Sequence, residues 1–258
     1  MREDPYDCYD EIYREVWGSS LHHGLWPQAD CTREQALENL RDLVLSELNP
    51  HGRIADIGCG YGELAQVLVD RFDCEVLANT SSKVQQARIP NHPRIESLPG
   101  NWTDQVLPPD SLDGAVALES LSHFPSFETF VRHTAETLKI GSSLVIADWF
   151  SDEGDRLLLR HLANLGRIPP WRSINDLIAV AQRHGLRPIH SVDLSREVAP
   201  TWSRLFQRAC FLPFRKPRLI SLLVRQALQS PGLLWSFPLL RLAYQNGSLE
   251  YHLVAFKK

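Results

Sequence analysis

Apolar positions along the chain recur with two periods, and the changes between those periods mark out a series of elements. Ala36, Leu37, Leu40, Val44 and Leu48 follow a helical spacing that opens at Thr32, where Thr32 and Gln35 fit a capping box, and closes at Asn49-Pro50. Beyond that point short apolar runs alternate with helical stretches. Arg53–Ile57 predicts a strand, followed through a cluster of glycines by a helix over Glu63–Asp70. Cys74–Ala78 predicts a second strand with a helix from about Ser82, Arg94–Ser97 a third strand and Leu112–Leu118 a fourth. A helix capped by Ser126 runs to Leu138, and Gly141 turns the chain into a strand over Ser143–Ala147. Strands alternating with helices imply right-handed crossovers and a mostly parallel sheet.

After Asp148 the regularity weakens. Helices are expected at Asp155–Asn164 and Ser173–His184, and strands at Leu186–Val192 and Leu249–Phe256. Between the last two strands lies a segment broken by Pro213, Pro217, Pro231 and Pro238. The expected organisation is an N-terminal lid over residues 1–31, rich in aromatics (Tyr6, Tyr9, Tyr13, Trp17, Trp26), and an α/β domain over 32–258 with a helical cover at about 200–243.

Charge adds one feature to this picture. The 258 residues carry a net charge of −4, with 43% apolar and 22% charged positions, which is ordinary for a globular chain and gives no footprint for nucleic acid. No acidic residue falls between Glu197 and Glu250, yet Arg204, Arg208, Arg215, Lys216, Arg218, Arg225 and Arg241 do. The helical cover is therefore a basic island in an acidic protein. It reads either as an amphipathic cover with solvated arginines, or as a face toward an anionic head group such as a prenyl diphosphate or a membrane surface. Five cysteines, odd in number and without CxxC spacing, argue against a disulfide framework and a zinc site. The opening residues lack the apolar run of a signal peptide and no run of about 18 apolar residues occurs, so a cytoplasmic location is expected.

The most informative residues are Asp56-Ile57-Gly58-Cys59-Gly60-Tyr61-Gly62, at a strand end and before a helix. Glycines there let backbone approach a ligand closely, and the helix start offers free N–H groups. A dinucleotide fingerprint would need Gly or Ala at 63, where Glu63 stands, and no Gly-Lys-Ser/Thr follows for a nucleotide phosphate. A carboxylate facing such a loop suits a ligand with a cationic end and no phosphate.

On these residues the chain resembles class I S-adenosylmethionine-dependent methyltransferases, whose first motif is Asp/Glu-x-Gly-x-Gly-x-Gly. It is similar in particular to the small-molecule branch that holds tocopherol C-methyltransferases and the sterol, cyclopropane-fatty-acid and plant N-methyltransferases. Trp17-Gly18 and His22-His23-Gly24-Leu25-Trp26 resemble that branch's lid motif, and Ala78-Asn79-Thr80-Ser81-Ser82 its Gly-Ile-Thr-Leu-Ser segment. Glu119-Ser120-Leu121-Ser122-His123 resembles its Glu-Ser-x-x-His. Asp193-Leu194-Ser195, Val198-Ala199-Pro200-Thr201-Trp202 and Tyr244…Gly247…Tyr251 resemble its later segments. The resemblance implies a Rossmann-like, seven-stranded, mostly parallel sheet with an N-terminal lid and a helical insertion before the last strand.

It also implies a site. Asp56, Gly58 and Gly60 should line the methionine end of S-adenosyl-L-methionine, Thr80 and Ser81 should meet the ribose, and Asn101 and Trp102 the adenine, with Cys59 and Leu118 completing the cofactor set. Thr80 and Asn101 stand where many relatives carry carboxylates. Trp102 reads equally as a core aromatic. Glu119, ending an apolar strand, and His23 are the candidate catalytic pair, although a carboxylate there also suits a helix start. His22, Trp26, His123 and Trp202 are the candidate substrate contacts, and a histidine pair is also a common surface feature. No metal set is expected. The implied function is methyl transfer to a small, largely apolar acceptor, prenylated or terpenoid, with carbon methylation favoured and Glu119 as base. The alternatives are O- or N-methylation of a natural product, cyclase-like chemistry on the same fold, and a non-catalytic binding partner.

Overall fold

The computed structural model describes residues 10–28, 30–152, 157–166, 171–229 and 233–258. Tyr6, Cys8, Tyr9, Asp155 and Pro231 lie outside the described residues. Helix α1 (Asp10–Trp17) and an irregular strap precede α2 (Arg33–Leu48). Both halves of the predicted capping box form: Gln35 N–H donates to Thr32 Oγ1, and Thr32 N–H donates to Gln35 Oε1. Asn49 ends the helix in the left-handed conformation, φ 49°. Then come β1 (Gly52–Ile57), α3 (Glu63–Arg71), β2 (Cys74–Thr80), α4 (Lys83–Gln86), β3 (Ile95–Pro99), β4 (Leu112–Leu118), α5 (Phe127–Thr137) and β5 (Leu138–Phe150). The second half adds α6 (Leu157–Gly166), α7 (Ile174–Arg183), β6 (Arg187–Asp193), α8 (Ser195–Val198), α9 (Pro200–Arg215), α10 (Ile220–Gln229), α11 (Leu233–Gln245) and β7 (Glu250–Lys257).

The seven strands run β3-β2-β1-β4-β5-β7-β6. The first five pair in parallel, and β7 inserts antiparallel between β5 and β6. This is the expected Rossmann-like sheet. Ile54, Ala55, Val116, Val145 and Phe256 are fully buried, because helices cover both faces and strands of that kind are apolar on both sides. One core cluster joins the sheet to α2, α3 and the helices of 200–245, the other to α5 and α7. Strand order reverses between β1 and β4, so a crevice opens at their carboxyl ends.

Three expectations change. β5 spans 13 residues from Leu138, not five from Ser143, because pairing with β7 extends it to Phe150 and Gly141 lies within it, donating to the Lys258 carbonyl. The helix expected from Ser82 is a single turn, capped by Ser82 Oγ accepting from Gln85 N–H. Pro213 and Pro238 lie inside α9 and α11 and do not break them. One buried face on each helix, Trp202, Leu205 and Leu212 on α9 and Leu240, Ala243 and Tyr244 on α11, outweighs the missing N–H.

Candidate functional site

The crevice at the β1/β4 switch is a cleft of ≈ 530 Å³. Its floor is the glycine loop. Gly58 has φ 73°, and a Cβ there would lie 2.3 Å from the Ser120 Cβ, so the loop and the β4 end touch at a point only glycine fits. Gly62, φ 79°, starts α3 without a side-chain cap.

Asp56, the penultimate residue of β1, lies on this floor, 2% exposed. Its Oδ2 has no hydrogen-bond partner among the described residues, and burial pushes its carboxyl up to about 7 against the Ala65 N–H, which works the other way. An unpaired buried carboxylate oxygen on a ligand-sized cleft is the complement of an ammonium group. The amino-acid end of S-adenosylmethionine fits that requirement. Burial, and next the charge of Asp56, raises the Cys59 thiol well above its usual range, so it is an inert wall.

The far wall holds the other predicted cofactor residues, with different freedoms. Thr80 Oγ1 donates to Gln85 Oε1 (2.7 Å) and accepts from Ser82 N–H (3.2 Å), so that hydroxyl is already engaged. Ser81 lines the cleft and is exposed. Asn101 donates its amide to Asp104 Oδ2 at 3.0 Å, leaving the amide oxygen as its acceptor. Trp102 is fully buried with its indole N–H on Thr134 Oγ1 (2.9 Å), a core aromatic that also forms part of the cleft wall. Leu118 and His123 line the cleft too. Sequence reasoning missed Gln85 and Asp104, whose only signal was proximity to strand ends.

Glu119 follows β4 in a left-handed conformation, φ 53°, a strained position for a non-glycine residue. Two donors and one close imidazole nitrogen hold its carboxylate. Oε1 accepts from the His23 N–H (2.6 Å) and the Tyr251 hydroxyl (2.9 Å), and His23 Nδ1 stands 2.9 Å from Oε2. Burial works to raise the Glu119 pKa, but the charge and hydrogen bonds of His23, with the charge of His22, outweigh it and hold the carboxyl below its ordinary value. Tyr251, on β7, belonged to the segment resembling the branch's closing strand, but its role was not anticipated. A second carboxylate, Asp148, ends the buried run of β5, accepts from Ser122 N–H (3.0 Å) and Trp149 N–H (2.7 Å), and is pushed up to about 7 by burial. A carboxylate closing an apolar strand was its signal, the same one that marked Glu119.

The two lid histidines part ways. His23 is fully buried and does not line the cleft. It sits among Trp202, Tyr251, Trp149, Tyr244 and Trp17, with ring centroids 5.0–6.4 Å away. His22 does line the cleft, and its Nδ1 lies 2.7 Å from the His23 carbonyl. A carbonyl only accepts, so Nδ1 carries the proton and Nε2 keeps a lone pair in the neutral ring. Burial lowers the His22 pKa, favouring that neutral form. The strap is tied down by Ser20, which donates to Glu63 at the start of α3, and by Arg33, which donates to the Trp17 carbonyl.

Trp26 and Trp202, expected against the substrate, do not line this cleft. Trp26 donates to Thr201 Oγ1 (2.8 Å) and fastens the strap to α9, while Trp202 is an inner wall of the aromatic cluster round His23. The basic island likewise stays away: the lining includes Asp56, Glu63, Asp104 and Glu119 but no Lys or Arg. Of the two readings of the basic island, this lining carries no face toward an anionic head group: Arg215 and Arg225 are exposed, Arg208 donates to the Glu15 carbonyl and Arg241 to Ser203. Among the described residues no group of three His, Cys, Asp or Glu is placed to hold a metal, and no helix is long and apolar enough to cross a membrane.

Comparison with known proteins agrees with the geometry. The family model described as a methyltransferase domain matches residues 31–191. The chain is 31% identical to O-methyltransferase rstn1 of Aspergillus nomiae, over 73% of this chain and 90% of that protein. It is 25% identical to the chloroplastic tocopherol O-methyltransferase of Arabidopsis thaliana, over 100% of this chain and 82% of that one. Its fold matches the geranyl diphosphate C-methyltransferase of Streptomyces coelicolor with a TM-score of 0.73 at 16% identity, covering 98% of both chains.

Proposed function

The chain belongs to the methyltransferase domain family and is an S-adenosylmethionine-dependent methyltransferase, and from that premise we propose that it methylates a hydroxyl oxygen on a neutral, lipophilic natural product, with His22 as proton acceptor. The observation that carries the reading is His22 itself, on the cleft with its Nδ1 proton committed to a carbonyl. Glu119, the base expected for carbon methylation, already accepts from His23 and Tyr251, so its carboxylate is engaged in holding the strap and β7. Its negative charge instead favours the imidazolium that His22 becomes. The relatives named O-methyltransferases support an oxygen acceptor.

Asp56, Gly58 and Gly60 would hold the amino-acid end of the cofactor, and Asn101, Asp104 and Trp102 the adenine. Bound there, S-adenosylmethionine supplies an activated methyl group whose thioether leaves readily. The protein's work is then positioning, exclusion of water and removal of one proton. His22 takes that proton, Glu119 stabilises the charge, and His23 and Tyr251 fix Glu119. The strap of residues 18–26 acts as the lid, closed through Ser20 and Glu63. Leu21, Leu118 and Phe124 in the lining supply an apolar surface for the acceptor, and the lack of Lys and Arg there disfavours a diphosphate.

Incubation with methyl-labelled cofactor and a panel of lipophilic phenols, alcohols and prenyl diphosphates tests this. The expected product carries the label on oxygen, and His22→Gln slows its formation by about 10²–10⁴-fold. Label on carbon, or turnover of the diphosphates alone, overturns the reading.

A further inference from the structure

The outer side of the helical cover has a surface that methyl transfer does not use. Phe211 and Phe214 on α9 are 59% and 82% exposed, and Ile220 and Val224 on α10 are 46% and 52% exposed. Helical spacing puts Arg204, Phe211, Phe214 and Arg215 on one side of α9, opposite the buried Trp202, Leu205 and Leu212. The 3₁₀ turn Pro217–Leu219 leads directly into α10, where Ile220, Val224 and Arg225 are all exposed. Of the nine large apolar side chains exposed among the described residues, five lie between 211 and 242, and two of those are aromatic.

The charge carried by the cover itself has one sign. Residues 198–249 hold seven basic side chains and no acidic one. Lys216 and Arg218 are matched by Glu15 (3.2 Å) and Glu11 (3.0 Å) of α1, and the Arg204 guanidinium lies 5.3 Å from the Trp26 ring centre. Arg215 and Arg225 are exposed and have no ion-pair partner among the described residues. A second copy of the chain would bring the same positive face to this one, and like charges would meet across the two-fold. An anionic bilayer has the opposite sign, and its interface takes aromatic and aliphatic tips between guanidinium groups.

We propose that Phe211, Phe214, Ile220 and Val224, with Arg215 and Arg225, form a docking face for anionic lipid bilayers. α9 turns this face outward while its inner side, through Trp202, packs on His23 (ring centroids 5.0 Å), so docking brings the bilayer to the flank of the aromatic cluster. Docking needs no acceptor, so it is measured apart from turnover.

The full chain is sedimented with vesicles of phosphatidylcholine alone and with vesicles containing about one-third phosphatidylglycerol. The expected result is at least roughly tenfold stronger partition onto the anionic vesicles, lost in about 1 M salt. Phe211→Ser/Phe214→Ser should lose most partition, and Arg215→Glu/Arg225→Glu the anionic preference. Both variants should keep wild-type affinity for S-adenosylhomocysteine, which shows that they fold. No partition of the wild type, or partition unchanged in both variants, overturns the proposal. So does a dimer in size-exclusion chromatography that the Phe pair abolishes, since a second copy would then occupy the face.

Discussion

Asp56→Asn separates the binding role of the cleft floor from its structural cost. The free protein holds this carboxyl at about 7, and only the ionised form pairs with an ammonium group. Between about pH 7.5 and about pH 6 the ionised fraction falls from about three-quarters to about one-tenth, so affinity for S-adenosylhomocysteine should weaken about eightfold. In Asp56→Asn the charge-assisted bond is gone. Such a bond is worth about 1.5–3 kcal/mol, so affinity at pH 7.5 should drop roughly 10- to 100-fold and the pH slope should vanish. Stability should move the other way. The folded pKa lies above the unfolded value near 3.8, so the free protein is most stable with respect to this group below about pH 4 and loses stability as pH rises to about 7. The full shift corresponds to about 4 kcal/mol at most, and Asp56→Asn without ligand should melt above wild type at pH 7.5. Titration calorimetry at the two pH values and thermal unfolding supply both readouts. Wild-type affinity flat across this window, or a slope that survives in Asp56→Asn, would refute the reasoning.

Four further outcomes are expected. His22→Gln should lower kcat by about 10²–10⁴-fold with S-adenosylhomocysteine affinity within a few-fold, and the acid limb of the wild-type kcat profile should lie below the usual histidine value of 6.5, because burial lowers the His22 pKa. Glu119→Gln should move that limb lower still, since the Glu119 charge raises the His22 pKa; a limb that stays put shows the two are not coupled. Gly58→Ala should cost about 1–3 kcal/mol in denaturant unfolding and most cofactor binding, with Ser120→Gly in that background recovering part, because the new Cβ meets the Ser120 side chain while the left-handed φ remains. Asn101→Ala should weaken S-adenosylhomocysteine several-fold in calorimetry, as one hydrogen bond of about 1 kcal/mol would, whereas Thr80→Val should leave affinity near wild type, its hydroxyl being held by Gln85 and Ser82.

Much of this protein is written in local patterns, and those are legible in the chain because their physics spans only a few residues. The Thr32/Gln35 capping box, the alternation of apolar strands and helices, and the Asp56–Gly62 loop each form where they are expected. From them follow the sheet, the cofactor floor and the carboxylate at the end of β4. What tertiary structure decided depends on contacts between distant residues. β7 inserts between β5 and β6, which carries β5 past Ala147 to Phe150 and brings Tyr251 to a carboxylate 132 residues earlier. No periodicity records that approach. The adjacent His22 and His23 look alike in sequence, yet one faces the cleft and the other is sealed among aromatic rings, because the strap is fastened to Glu119 through the His23 N–H and to Thr201 of α9 through Trp26. The arginines of the basic island were countable from the sequence, but which side of α9 they take is set by Trp202 and Leu205, whose burial turns the remaining face to solvent. Charge and pattern are properties of the chain; burial, which works upward on the pKa of Asp56 and Glu119 and downward on that of His22, belongs only to the packed molecule.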